Sequence, residues 1–181
     1  MLECAVRFAT QNDTIHVAVI PAIYNLKQNN RIMVSEKAYT SFINCGVEMQ
    51  PVTNLFDGSY TFRFLAVNDV HTFVKGMDFL NGLVGASYNR LSLVSTLLPR
   101  CFKGAGRIPE WISCENKGLM PRKEHPAVFC SQMALMLCYT LNAVSNNVTL
   151  DPAACSPGEL DRILHNEPNC RVCSLNSIEI F

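Results

Sequence analysis

Phe129-Cys130-Ser131-Gln132-Met133-Ala134-Leu135-Met136-Leu137-Cys138-Tyr139-Thr140-Leu141 decides how the rest of the chain is read. Cys130, Met133, Ala134, Leu137, Cys138 and Leu141 recur at three- and four-residue intervals, the period of a helix with one apolar face. The spacing predicts a helix over about 130–144, the strongest in the chain, with Cys130 in its first turn. The stretch before it, Gly104 to Pro126, is punctuated by Gly and Pro and has no period. It reads as a loop of about twenty residues, longer than simple connection requires. A thiol where such a loop meets a helix start lies at the positive end of the helix dipole, beside N–H groups without an intrahelical partner. Both favour thiolate, the nucleophilic form. The same residue also fits a structural reading, as a small hydrophobe on a buried helix face.

Upstream of this helix the period is two. Residues 4–9 alternate loosely, and Ile15-His16-Val17-Ala18-Val19-Ile20 is β-rich and almost wholly apolar, as a central strand is, with Pro21 as its stop. Strands are expected over 31–36, 46–52 and 60–67, with a short helix or irregular stretch between Glu36 and Asn44. After Asn68-Asp69 the pattern turns helical through Leu83, with Asn68 or Asp69 as N-cap and Gly85 beyond the end. A second short apolar segment, 91–98, closes at Pro99. Downstream, Ser156-Pro157-Gly158-Glu159 has the form of a capping box, with Pro at the first helical position. Residues 177–181 read as a last strand. Strands precede helices, so the fold expected is α+β: one domain over 1–181, with a small antiparallel sheet from His16 to Val67 packed on the helix that starts at Cys130.

Composition narrows the function. Apolar residues are 49% of the 181 and charged residues 17%, the reverse of what disorder needs. Fifteen basic residues balance fifteen acidic ones, so the basic excess of a nucleic-acid binder is missing. No apolar run reaches the ~18 residues that span a bilayer. The N-terminal Met-Leu-Glu-Cys lacks the basic and apolar parts of a secretory signal. A reducing, cytoplasmic compartment is therefore expected, and the nine cysteines, an odd number, are expected mostly as free thiols. Cys45, Cys101, Cys114 and Cys138 are expected to be unpaired and mostly buried.

Three further groups bear on chemistry. His16 sits in an apolar strand, where an imidazole is either a rigidly held base for a thiol or a core histidine bonded to a carbonyl. Glu36 ends the next strand. Antiparallel pairing would bring it near the start of the His16 strand, where a carboxylate orients an imidazole; a solvated strand end is the alternative. Cys170-Arg171-Val172-Cys173 has metal-ligand spacing, with Cys155 and His165 as the only nearby complement. A lone CxxC is a weak signal for zinc.

The ordered set Ile15-His16-Val17-Ala18-Val19, Ser35-Glu36, Gly46-Val47, Gly85-Ala86-Ser87-Tyr88-Asn89, Phe129-Cys130-Ser131-Gln132 and Ser156-Pro157-Gly158-Glu159-Leu160 resembles the circularly permuted papain-like hydrolases, relatives of the NlpC-type amidases and lecithin:retinol acyltransferases. The resemblance runs over about residues 4–165. Gln132 stands where that group often has Glu, and Ala18 where it often has Gly. The resemblance implies a permuted papain-like fold and a cysteine hydrolase acting on an acyl bond (amide, isopeptide, thioester or lipid ester) of a peptide, protein or lipid substrate. It implies Cys130 as nucleophile, His16 as general base and Glu36 as orienting residue. Tyr88 matches the family tyrosine, and with Trp111 in the preceding loop it is a candidate for substrate binding. No metal or organic cofactor is implied. The alternative kept open is a binding module that retains the fold without turnover.

Overall fold

A computed structural model describes residues 2–11, 16–25, 31–56, 60–67, 69–88, 127–145, 150–173 and 178–180. Among them eight strands form one sheet and three α-helices cover part of it, a mixed α+β arrangement. The expected apolar segment at 91–98 and the expected loop at 104–126 lie outside the described residues.

The sheet is organised around β1 (Leu2–Gln11) and β2 (Val17–Asn25), which pair antiparallel from Leu2↔Asn25 to Thr10↔Val17. On its other side β1 pairs with β6 (Tyr60–Val67). β2 carries two partners in succession. β4 (Lys37–Phe42) pairs with Ala18 and Val19, and β3 (Arg31–Val34) pairs with Ala22 to Asn25. β5 (Gly46–Pro51) lies outside β4, β7 (Cys170–Cys173) lies outside β6, and β8 (Ile178–Ile180) runs parallel to β3.

Two expectations change here. β2 does not stop at Pro21 but continues to Asn25. In a strand the N–H and C=O of one residue point to the same neighbour. The Pro21 carbonyl accepts the Ser35 N–H at 2.9 Å. The N–H that proline lacks would therefore fall where β2 changes partner from β4 to β3, and no ladder bond is lost. The stretch after Glu36 is a strand, not a helix or coil. Ala38, Tyr39, Thr40 and Ser41 of β4 are buried in succession, because both faces are covered and no alternation marks it.

The two faces of the sheet carry different cores. Val17, Val19, Tyr39, Val47, Leu65 and Val67 point to the helical side, where they meet the helices described next. Ala18, Ile20, Ala22, Ala38, Phe62 and Phe64 form the other core, closed by Val52 and Leu55 of a 3-10 turn (Val52–Leu55). Each fully buried Leu or Phe contributes about 2 kcal/mol.

α1 (Val70–Leu83) begins at Asp69, whose carboxylate accepts the Thr72 N–H at 2.8 Å, and buries Leu80 and Leu83. Its end is clamped to β5: Val47 N–H donates to the Ala86 carbonyl at 2.8 Å, and Gly85 N–H donates to the Val47 carbonyl at 2.9 Å. α2 (Cys130–Thr140) is buried on most sides, Leu135 and Met136 included, so it is a central helix, not one with a single apolar face. It ends a turn earlier than expected. Asn142 takes a φ of 48°, with the Ala143 N–H on the Cys138 carbonyl and its own N–H on the Tyr139 carbonyl, the hydrogen-bond pattern of a Schellman stop. α3 (Pro157–Asn166) starts at the expected capping box: Ser156 Oγ accepts the Glu159 N–H at 3.2 Å, and Glu159 accepts the Ser156 N–H at 3.0 Å.

Candidate functional site

Cys130 is the first residue of α2, and it is 1% exposed. Several bonds fix the chain just before and after it. Val128 N–H donates to the Ser87 carbonyl at 2.9 Å, and Ser41 Oγ donates to the Val128 carbonyl at 2.7 Å. Ser131 Oγ donates to the Cys155 carbonyl at 2.6 Å. Gln132 reaches back to accept the Phe129 N–H at 3.4 Å. The helix start is thus pinned to β4, to the segment after α1 and to the segment before α3.

The sulfur lies among backbone donors. The N–H groups of Val17, Ser131 and Cys130 itself each act to lower its pKa. Burial acts in the opposite direction and is larger, so the thiol is pushed above its usual range and is neutral near pH 7. The helix-start position supplies the donors expected of it, while the enclosed setting cancels the activation.

Tyr88 lies beside this thiol. Its hydroxyl is pushed up to about 12, chiefly by burial and further by Cys130. The bond from Val128 to the Ser87 carbonyl places it there. Trp111, the other expected binding residue, lies outside the described residues.

His16 does not join them. Along β2, Val17 and Val19 face the helices, while Ala18, Ile20 and Ala22 face the opposite core. His16 belongs with the second set. Its ring stacks on Phe42 with centroids 4.5 Å apart and meets Tyr60 edge-on at 6.4 Å, and Tyr60 packs against that opposite core. What contacts the Cys130 sulfur is the backbone of the next residue, Val17. The expected thiol–imidazole pair is therefore not formed, because alternation along the strand turns the imidazole to the other face of the sheet. Burial, with no charged partner among its causes, lowers His16 to about 4, so the ring is neutral near pH 7. Its Nε2 and the neighbouring Thr40 Oγ1 are buried without a hydrogen-bond partner among the described residues.

Glu36 is also elsewhere. It is exposed, just before β4. The pairs Ala18↔Thr40 and Val19↔Tyr39 run down β4 away from His16. That register stops short of Glu36, because Ala22 pairs with Val34 of β3; the Ser35 N–H on the Pro21 carbonyl sets Glu36 near Pro21, five residues or about 16 Å along the strand from His16. β2 is longer than expected and carries β3 on its far half, so the end of β3 meets the middle of β2, not its start. Glu36 instead rims a shallow cleft of about 300 Å³ with Lys37, Pro51, Val52, Thr53 and Ile180.

The remaining cysteines are free thiols where the structure describes their side chains. Cys138 and Cys155 are buried, but Cys45, expected inside, is exposed in the turn between β4 and β5. Cys101 and Cys114 lie outside the described residues. Cys170 and Cys173 sit three apart on β7, so the pleat sends them to opposite faces: Cys170 packs on the helical core and Cys173 on the other. The CxxC thus has no chelating geometry. Among the described residues no three His, Cys, Asp or Glu side chains are placed to hold a metal ion.

Sequence reasoning did not single out Ser41 and Ser131, which fix the helix start, or the Val17 N–H. A serine in a strand without alternation gives no signal, and a backbone donor gives none at all. No helix among the described residues is long and apolar enough to cross a membrane. Comparison with protein-family models, with curated proteins and with solved structures finds no match to this chain.

Proposed function

We propose that this chain is a non-catalytic binding module on a layout like that of the permuted papain-like hydrolases, one that engages a peptide, protein or lipid partner without turnover. The observation that carries this reading is the placement of the two groups a thiol hydrolase must bring together. Cys130 is enclosed on the helical side of the sheet, and His16 is stacked on Phe42 on the other side. A neutral, enclosed thiol without a base in reach does not attack a carbonyl at a useful rate. The segments that resemble the hydrolases keep a structural use: Gly46-Val47 clamps Gly85-Ala86, and Ser156 to Glu159 caps α3.

One observation favours the hydrolase reading instead. Three backbone N–H groups act on the Cys130 sulfur, and donors so placed would hold the oxyanion of an acyl-transfer step. Iodoacetamide at pH 7.5 separates the two, with peptide mapping of each alkylated cysteine. The binding reading predicts that Cys130 reacts more slowly than the exposed Cys45. Faster reaction at Cys130 than at Cys45 would overturn it in favour of a cysteine hydrolase.

A further inference from the structure

We propose that His16 is an acid-sensitive latch over Cys130: a proton on the imidazole expels the ring from the sheet interior, frays the start of β2 and uncovers the thiol. This holds whether or not the thiol has a catalytic use.

The geometry rests on adjacency along the chain. His16 directly precedes Val17, the first residue of β2; its ring stacks on Phe42 and meets Tyr60 of the opposite core, while Val17 faces the helices. The Val17 backbone donates toward the Cys130 sulfur, and Val17 belongs to the core that encloses it. His16 anchors the same strand end from the other side, through its stack on Phe42 at the end of β4. Ejecting His16 pulls on the adjacent residue, Val17, whose backbone N–H touches the Cys130 sulfur.

Among the described residues no side chain offers a charged imidazole a counter-charge in that interior. His16 is 9% exposed, and its Nε2 has no hydrogen-bond partner among the described residues. β4 presents Phe42 and Thr40 to this face, and β6 presents Tyr60. From β5, Glu48 lies opposite Thr40, one strand further out and half-buried. It does not figure among the causes acting on His16, which are burial alone. Arg63 of β6 points to the other face, toward Asp161. Attraction of the cation to the Phe42 ring is weaker than the hydration it would replace.

The direction with pH follows from linkage. The ring ionises near 4 inside and at the ordinary 6.5 once outside. The closed state is fully favoured above pH 6.5. It loses ground as pH falls, and the loss is complete below about 4. The opening constant rises about tenfold per pH unit between those limits, about 300-fold in all.

The test uses 4,4′-dithiodipyridine, which reacts with thiols at acid pH, from pH 7.5 to 4.5. Labelling of Cys130 is read against exposed Cys45 as the internal rate standard and against buried Cys138 as a reporter of global unfolding. The expected result is a Cys130:Cys45 ratio that climbs about tenfold per unit below 6.5 while Cys138 stays protected, and a flat ratio in His16→Phe, whose ring can stack on Phe42 but takes no proton. A flat ratio in the unsubstituted protein overturns the latch, as does an equal rise in His16→Phe or labelling of Cys138 in step with Cys130. Should His16→Phe not fold, His16→Gln serves in the same comparison.

Discussion

Gly46 shows how one residue holds the site's frame. It has a φ of +72°, and a Cβ there would collide with the Ala86 carbonyl oxygen, the atom that accepts the Val47 N–H. Any side chain pushes the segment 86–88 off β5, and with it the Ser87 carbonyl that holds Val128. Gly85 is a natural control, with a φ of +89° and nothing within 4 Å of an added Cβ. Gly46→Ala is expected to cost about 3 kcal/mol, strain plus collision, and Gly85→Ala about 1 kcal/mol, strain alone. Urea denaturation of the two variants measures the difference, and equal costs would mean that the contact at Ala86 does not hold α1 to β5. His16 and Cys130 make the complementary point at the same scale. Neighbours in space through one peptide, they are separated chemically by the pleat of the strand that carries one of them.

At the scale of elements, α3 joins the sheet through Leu160 and Leu164 in the helical core and through an ion pair between Arg63 and Asp161. Arg63 of β6 donates from Nε to Asp161 Oδ1 at 2.7 Å and from Nη2 to Oδ2 at 3.1 Å, in a forked arrangement. Arg63 is the buried partner, 9% exposed at its side chain against 29% for Asp161. Its guanidinium is held above its usual range, chiefly by that hydrogen bond. Removing the carboxylate leaves a buried cation uncompensated, whereas removing both groups leaves no buried charge unpaired. Asp161→Ala is expected to cost about 3 kcal/mol, and Asp161→Ala with Arg63→Met less than half of that. Denaturant melts of the single and double variants check it, and a double variant as unstable as the single one would show that packing, not charge, joins α3 to β6.

Across the whole molecule, legibility followed pattern. β6, α1, α2 and α3 were readable because their apolar residues keep a clear period and the starts of α1 and α3 carry Asp69 and the Ser156 box, whereas the stop of α2 at Asn142 was missed. β4 was not, since a strand covered on both faces shows no alternation. The continuation of β2 past Pro21 was hidden because a change of pairing partner leaves no mark in sequence. The site failed on a finer point. In His16-Val17-Ala18-Val19-Ile20 both alternating sets are apolar apart from His16, so the residues name a strand without saying which set meets the helices. A shift of one residue moves the imidazole from the thiol to the opposite core. The extra length of β2 then carries Glu36 away from both.

The imidazole of His16 and the thiol of Cys130 lie on opposite faces of the sheet and do not pair. Titrating the His16 ring protons by NMR, in the unsubstituted protein and in Cys130→Ala, tests it most directly. The expected result is ionisation near 4, set by burial, with no change when the sulfur is removed. Ionisation at or above 6.5 that moves on Cys130→Ala would contradict it, because only a paired thiolate raises an imidazole in that way.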